Sequence, residues 1–405
     1  MFARDSYVNM LAKWQDKHVI KVATGMRRVG KSTVFMLYIK YLHSVGISDS
    51  NIIYINLEDM ANEQLCEYHN LHRYILDKVN NNERFYIFID EIQQCSGFER
   101  TIDSLFLNEN FDIYLTGSNA YFLSGELATY LSGRYVMIHI LPLSFDEYLT
   151  FCGFDKNAVS ADTLSRIFGL YLYKGQLPYI PFLQDDEQTL QGYLEGVYNT
   201  VIMKDIAARC DITDINLLNR IVRTMVSNIG SPISVKRITD TLISSGRKIS
   251  GNTVQRYVQA LCDSYIFYEV PRFDIRGNEC LKTNGKYYLV DTGLRQIMFG
   301  DKNDDFGHIV ENIIYLELRR RYNEVYIGKY DDNEIDFVVR SDDGVEYYQI
   351  CSAIVDEQTR ERELSPLKMI RDNYPKYILT LDNIHFGNFG GIQHFNIIQW
   401  LLNNP

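Results

Sequence analysis

The run Gly25-Met26-Arg27-Arg28-Val29-Gly30-Lys31-Ser32-Thr33 places two glycines, a lysine and two hydroxyls at the spacing GxxxxGK[ST]. That spacing suits the grip on a polyphosphate. Gly25 and Gly30 let the backbone turn tightly and aim N–H groups at phosphate oxygens, and the helix that should start near Lys31 adds its positive end. The Lys31 ammonium can reach the β- and γ-phosphates, and the Ser32 hydroxyl can ligate Mg2+. The expected ligands are therefore ATP and Mg2+, held by Gly25, Arg28, Gly30, Lys31, Ser32 and Thr33.

The stretch "FYIFIDE" complements the loop. Asp90, at the end of an apolar run, is expected to join Ser32 in the Mg2+ shell, and Glu91 to polarise an attacking water. "LTGSN" ends in Ser118 and Asn119, where Asn119 or Ser118 would either orient that water or simply form a turn before a helix. Arg134, in "LSGRYVMIHI", is either a finger reaching the γ-phosphate of a neighbouring subunit or a surface arginine.

These groups need a scaffold, and the chain predicts one. Apolar runs at 19–24, 51–57, 84–91, 111–119 and 135–140 alternate with helical segments at 31–45, 62–79 and 98–107. Short β-rich runs separated by helices imply a parallel sheet covered on both faces, an α/β nucleotide-binding layout. The loop lies between the first strand and the first long helix, where its mechanism requires it.

The bulk properties agree with a multidomain globular chain. Its 405 residues are 46% hydrophobic and 23% charged. No apolar run approaches the ~18 residues of a membrane span, and the amino terminus has no signal-peptide pattern. Seven scattered cysteines without a CxxC pair read as reduced thiols, so the expected location is cytoplasmic, with no membrane partner. The net charge of −11 is unevenly spread: residues 1–200 carry −8, 201–290 carry +5 and 291–405 carry −8. The basic island is a clue to an acidic partner.

Taken in order, "GMRRVGKS", "INLED", "FIDEIQ", "LTGSN", "LSGR" and "LPLSFDEYL" resemble the prokaryotic AAA-type ATP-binding proteins that carry a C-terminal domain of unknown function, number 4143. "YKGQLP", "YLVDTGL" and "HIVENIIYLEL" extend the resemblance over nearly the whole chain. It implies an AAA-type P-loop domain over residues 1–150 and a helical connector or lid over 151–200.

Residues 201–295 read as a winged helix-turn-helix, with helices at 215–229, 234–245 and 252–263 and then two strands. Val254, Tyr257, Val258 and Leu261 share one helical face, which turns Asn252, Gln255, Arg256 and Gln259 outward. Those side chains suit base edges, with Lys236, Arg237, Arg247, Lys248 and Arg276 on phosphates. Such a fold also serves as an ATPase lid or a protein-docking platform, so double-stranded DNA and a protein partner both stand as expectations.

Residues 305–405, following an acidic linker at 301–305, place Glu311 on a helix, Asp336 in "NEIDFVV" and Gln349 in "EYYQICSA". That order resembles the PD-(D/E)XK nuclease core, whose acids hold Mg2+ while a lysine steadies developing charge on phosphate. The lysine should stand two positions after Gln349, where this chain has Cys351. Lys329, Arg360 and Lys368 are the cations that could replace it.

Three functions follow in order of preference. The first is a Mg2+-dependent ATPase whose nucleotide state controls the winged helix and the nuclease-like region. The second is an ATP-gated metal-dependent nuclease. The third is a regulator or scaffold that binds nucleotide without turning it over. A homo-oligomer is an open expectation, tied to Arg134 acting in trans.

Overall fold

The computed structural model describes residues 3–79, 81–120, 133–183, 186–246, 248–300, 306–342, 344–382 and 387–403. Arg247, the linker 301–305 and the start of "LSGR" lie outside them. The chain divides into two compact units, Met1–Pro142 with Asp263–Tyr265, and Leu143–Cys262 with Ile266–Pro405.

The first unit is built on five strands: β1 (Ile20–Thr24), β2 (Ile52–Asn56), β3 (Phe85–Asp90), β4 (Phe111–Gly117) and β5 (Tyr135–His139). They form one parallel sheet in the order β2-β3-β4-β1-β5. Every residue of β1, β3 and β4 is buried, as continuous apolar runs with both faces covered must be. Alternation along β3 gives the two faces different cores. Phe88 stacks on Tyr114 at 4.5 Å between ring centroids and meets Phe35 of the helix Lys31–Ser44 at 5.3 Å. Ile87 and Ile89 join the opposite aliphatic cluster with Leu71, Ile75, Ile102 and Leu105 from the helices Tyr68–Lys78 and Phe98–Phe106. The same aromatic layer buries an ion pair between Lys21 and Asp112, closed by the Tyr114 hydroxyl donating to Asp112 at 2.9 Å.

The second unit opens with the helix Phe145–Phe151, started by a capping box between Ser144 and Glu147. The helices Ala161–Lys174 and Glu187–Thr200 follow, and the latter widens into a π-helical turn at Val201–Ala207. Next come Ile215–Val226, Val235–Ser244 and Gly251–Asp263, then the antiparallel hairpin of β6 (Phe267–Asp274) and β7 (Glu279–Leu289). Val254, Tyr257, Val258 and Leu261 are buried, while Asn252, Gln255, Arg256 and Gln259 are exposed, so the helical face divides as its spacing predicts.

The remaining strands are β8 (Glu324–Tyr330), β9 (Asn333–Ser341), β10 (Gly344–Ile350), β11 (Lys376–Thr380), β12 (Asn388–Phe389) and β13 (Ile392–Asn396). Sequence patterning puts the hairpin and this region in separate domains, but one eight-stranded sheet runs through both, in the order β12-β13-β11-β10-β9-β8-β6-β7. The junction is a parallel pairing of Arg272, Phe273 and Asp274 with Ile327, Gly328 and Lys329. Register along β6 shifts between Val270 and Arg272, at Pro271, which has no N–H to give the ladder.

A polar clasp ties early and middle parts of this unit together. The buried Asp291 carboxylate accepts the backbone N–H groups of Gln176 at 2.5 Å, Leu177 at 2.8 Å and Gly293 at 2.8 Å. Gln176 in turn donates to Thr292 Oγ1 at 2.7 Å and accepts the Thr292 N–H at 3.1 Å. Burial pushes the Asp291 carboxyl up to about 6, against the pull of those donors.

Candidate nucleotide site

The loop after β1 turns where glycine is required. Gly25 has φ 146°, and a side chain there would strike the Ile140 carbonyl oxygen at 2.3 Å. Gly30 sits at φ 96°, ψ 26° as the cap of the helix Lys31–Ser44, so that helix points its free N–H end into the loop. Arg28 is also left-handed, at φ 71°, and its side chain is exposed. Ser32 is exposed and Thr33 half-buried on the first helical turn.

Lys31 is folded inward, with its ammonium 3.2 Å from the Gly25 carbonyl oxygen and 3.3 Å from that of Met26. It also stands 3.5 Å from Glu91 Oε1. Because β4 lies between β1 and β3, the ends of all three strands meet beside this lysine. Asp90 is fully buried, accepting Tyr54 OH at 3.0 Å on one oxygen and Thr116 Oγ1 on the other. Each oxygen keeps an acceptor position for a cation. Thr116 Oγ1 further accepts the Glu91 N–H at 2.8 Å, which links β3 to β4 at the site.

Glu91 takes φ 54°, a left-handed conformation uncommon for a long side chain. Burial would raise its pKa, but the Lys31 charge, the Gln93 hydrogen bond and the Arg27 charge hold it below the usual carboxylate range. Gln93 donates to Glu91 and also to Ser118 Oγ at 3.4 Å. Asn119 is buried next to Ser118, and the following Ala120 N–H donates to the Asp263 carbonyl at 2.7 Å.

Comparison with known proteins gives this arrangement its family. An AAA domain model matches residues 17–149, and a model for a domain of unknown function, DUF8612, matches 165–305. A protein of Haemophilus influenzae is 36% identical over 99% of both chains, and protein MJ1544 of Methanocaldococcus jannaschii is 30% identical over 90% of this chain and 80% of its own. This chain belongs to their family, an AAA domain followed by a domain of unknown function. The Walker-type ATPase paby2304 of Pyrococcus abyssi shares the fold, with a TM-score of 0.52 and 15% identity over 74% of this chain and 96% of that one. The second matched model is numbered 8612, where the sequence motifs resemble 4143.

Within this AAA protein, Arg134 lies away from the P-loop. Its carbonyl accepts the Ile20 N–H at the start of β1, on the order of 15–20 Å along the strand from Gly25. Its guanidinium pairs with Asp103 at 2.5 Å and lies over the Phe106 ring. The structure therefore brings Gly25, Gly30, Lys31, Asp90, Glu91 and Asn119 to the carboxyl end of the sheet and leaves Arg134 at its amino end.

Sequence reasoning missed the residue beneath the loop. Arg4, 1% exposed, donates to the Val29 carbonyl at 2.8 Å, to Leu141 at 2.9 Å and to Pro142 at 3.3 Å. It braces the phosphate loop from a distance of 25 residues in sequence, and no local pattern announces it.

A second polar cluster lies in the other unit. Glu311 and Asp336 both face it, and Gln349 borders it, its Oε1 3.4 Å from the Asp336 N–H and its Nε2 donating to Glu363 at 3.2 Å. The cations expected to replace the missing lysine point elsewhere: Lys329 to Asp274, Arg360 to Glu357 and Lys368 to Glu361. Lys286 of β7 is the cation present, 2.9 Å from Glu311 Oε1 and 2.8 Å from Glu334 Oε1. Lys286 and Tyr288 alternate onto one face of β7 and both donate to Glu311, a period-two signal visible in "GKYYL". Burial would lower the Lys286 pKa, but Glu311, Asp336 and Glu334 raise it further, so the ammonium persists. Burial and the Glu311 charge push the Asp336 carboxyl upward.

Proposed function

We propose that the protein is a Mg2+-dependent ATPase whose nucleotide state controls its C-terminal region. The observation that carries this is the convergence at the carboxyl end of the sheet of the P-loop ammonium, the buried Asp90 and the ionised Glu91. ATP phosphates would lie on the loop N–H groups and the amino end of the helix Lys31–Ser44. Ser32 and Asp90 would hold Mg2+, which supplies neutralisation of phosphate charge. Glu91 would accept a hydrogen bond from the attacking water and align it, with Asn119 beside it. The water oxygen would bond to the γ-phosphorus as the γ-phosphorus–ADP oxygen bond breaks, its proton passing to the Glu91 carboxylate, to give ADP and phosphate.

For Glu91 to act, the Lys31 contact must give way to the γ-phosphate. A bound triphosphate offers more negative charge than one carboxylate, which favours the exchange electrostatically. ATP turnover of the purified protein tests the proposal, with Lys31→Ala as control. Equal turnover in that variant would remove it, and tight nucleotide binding without turnover in the wild type would make the protein a non-hydrolysing regulator.

The target of the switch is assigned to the three helices and hairpin of the second unit, read as a winged helix. Exposure of Asn252, Gln255, Arg256, Gln259, Lys236, Arg237 and Lys248 supports contact with double-stranded DNA. Arg276 is exposed but paired with Asp331 at 2.9 Å, and must exchange that partner to meet a phosphate. Anisotropy of a labelled duplex at two salt concentrations decides between DNA and a protein partner, because DNA binding must weaken steeply with salt. Residues 305–405 are read as nuclease-like in fold.

A further inference from the structure

We propose that Lys286 is a built-in substitute for the divalent cation of a nuclease-type acidic pocket, so that this region folds around its own ammonium and takes no metal there. The inference rests on the nuclease-like reading of Glu311, Asp336 and Gln349 for the metal it would lead one to expect.

The geometry is that of a cation site already filled. Lys286 Nζ bridges Glu311 Oε1 at 2.9 Å and Glu334 Oε1 at 2.8 Å, and its side chain is 3% exposed. A Mg2+ or Ca2+ ion would need the same oxygens at about 2.0–2.6 Å, leaving no room for the ammonium between them. Donors of the chain also reach both acids of the cluster. Tyr288 OH donates to Glu311 Oε1 at 2.5 Å, and the Ile350 N–H donates to Asp336 Oδ2 at 2.7 Å. His308 Nδ1 lies 3.8 Å from Glu311 Oε2. Among the described residues, no three His, Cys, Asp or Glu side chains are arranged to hold a metal ion.

The position at which a nuclease lysine would steady phosphate charge is also recast. The Cys351 thiol donates to the Ala353 carbonyl at 3.2 Å. A lysine locked between two carboxylates cannot take over that role, because leaving them would strip a buried charge of its partners. Lys286 is therefore a structural cation, delivered from β7 to the place where a metal would sit.

The test uses nucleotide-free, full-length protein and Mn2+ followed by electron paramagnetic resonance. Wild type and Asp336→Asn should bind Mn2+ identically, with no site of micromolar affinity attributable to the cluster. Lys286→Met should gain one Mn2+ per chain, lost again when Asp336→Asn is added, and Mn2+ should raise its Tm but not that of the wild type. A wild-type Mn2+ site that disappears in Asp336→Asn overturns the inference, as does a folded Lys286→Met protein that binds none. Should Lys286→Met fail to fold with or without Mn2+, the wild-type titration decides alone. Mg2+-dependent cleavage of duplex DNA by the wild type, abolished by Asp336→Asn, would uphold the nuclease reading while overturning the inference. Metal gain in Lys286→Met without cleavage leaves the inference standing and ends the nuclease alternative.

Discussion

Lys31 Nζ and Glu91 Oε1 stand 3.5 Å apart, so the cation proposed to grip phosphate and the carboxylate proposed to act on water neutralise each other. One ammonium cannot serve both at full strength, and on the proposed reading ATP binding reassigns it. Glu91→Gln frees Lys31 without removing bulk. We expect it to bind ATP at least as tightly as wild type while kcat falls about 10²–10⁴-fold, the usual range for loss of a general base. Nucleotide titration and single-turnover rates check both halves, and a kcat within a few-fold of wild type would remove Glu91 from the chemistry.

Gln93 is predicted to set the acid limb of the pH profile. Its hydrogen bond is one of the influences holding the Glu91 pKa below its ordinary value. Water activation needs the ionised form, so turnover is lost as pH falls through that pKa. Gln93→Ala removes a donor, raises the pKa and moves the acid limb of kcat/KM to higher pH. A limb that stays in place would show that another group titrates there.

Arg4 should matter more than its place near the amino terminus suggests. Truncation to Met keeps much of the bulk but leaves the Val29, Leu141 and Pro142 carbonyls without this donor. The expected loss is about 2–4 kcal/mol of stability, given the cost of leaving buried polar groups unmatched. ATP affinity should fall as well, because the Val29 carbonyl is part of the phosphate loop. Chemical denaturation and ATP titration measure the two effects.

The Asp291 clasp predicts a pH dependence of opposite sign to that of a salt-bridged acid. Its folded pKa of about 6 lies above the unfolded value of 3.8, so the folded state holds the extra proton between them. The contribution is fully present below about pH 4 and is lost as pH rises through about 6. Asp291→Asn should flatten that part of the stability profile. It should also destabilise at pH 7 by about 1–3 kcal/mol, since an amide nitrogen would face N–H donors. Urea midpoints from pH 4 to 7 would show both.

Much of the first unit was legible because its physics is local. Continuous apolar runs such as "FYIFID" must be buried on both faces, and the two glycines and lysine at fixed spacing fix the loop. The outward face of the helix Gly251–Asp263 followed from helical periodicity alone. What pattern could not supply was partnership across the chain. Lys286 meets Glu311 only after β7 and the helix Phe306–Arg321 pack, and Arg4 meets Leu141 across 137 residues. The merged sheet was hidden for the same reason, since β6 pairs with β8 across a linker that reads as a boundary.

The pairing of Arg272–Asp274 with Ile327–Lys329 has an evolutionary and practical corollary. A gene fragment ending near residue 300 would leave the open edge of β6 without its neighbour, a template for adhesion to other chains. Recombination cannot readily swap one half for a foreign module, so the hairpin and the strands beyond it should be inherited, expressed and lost together.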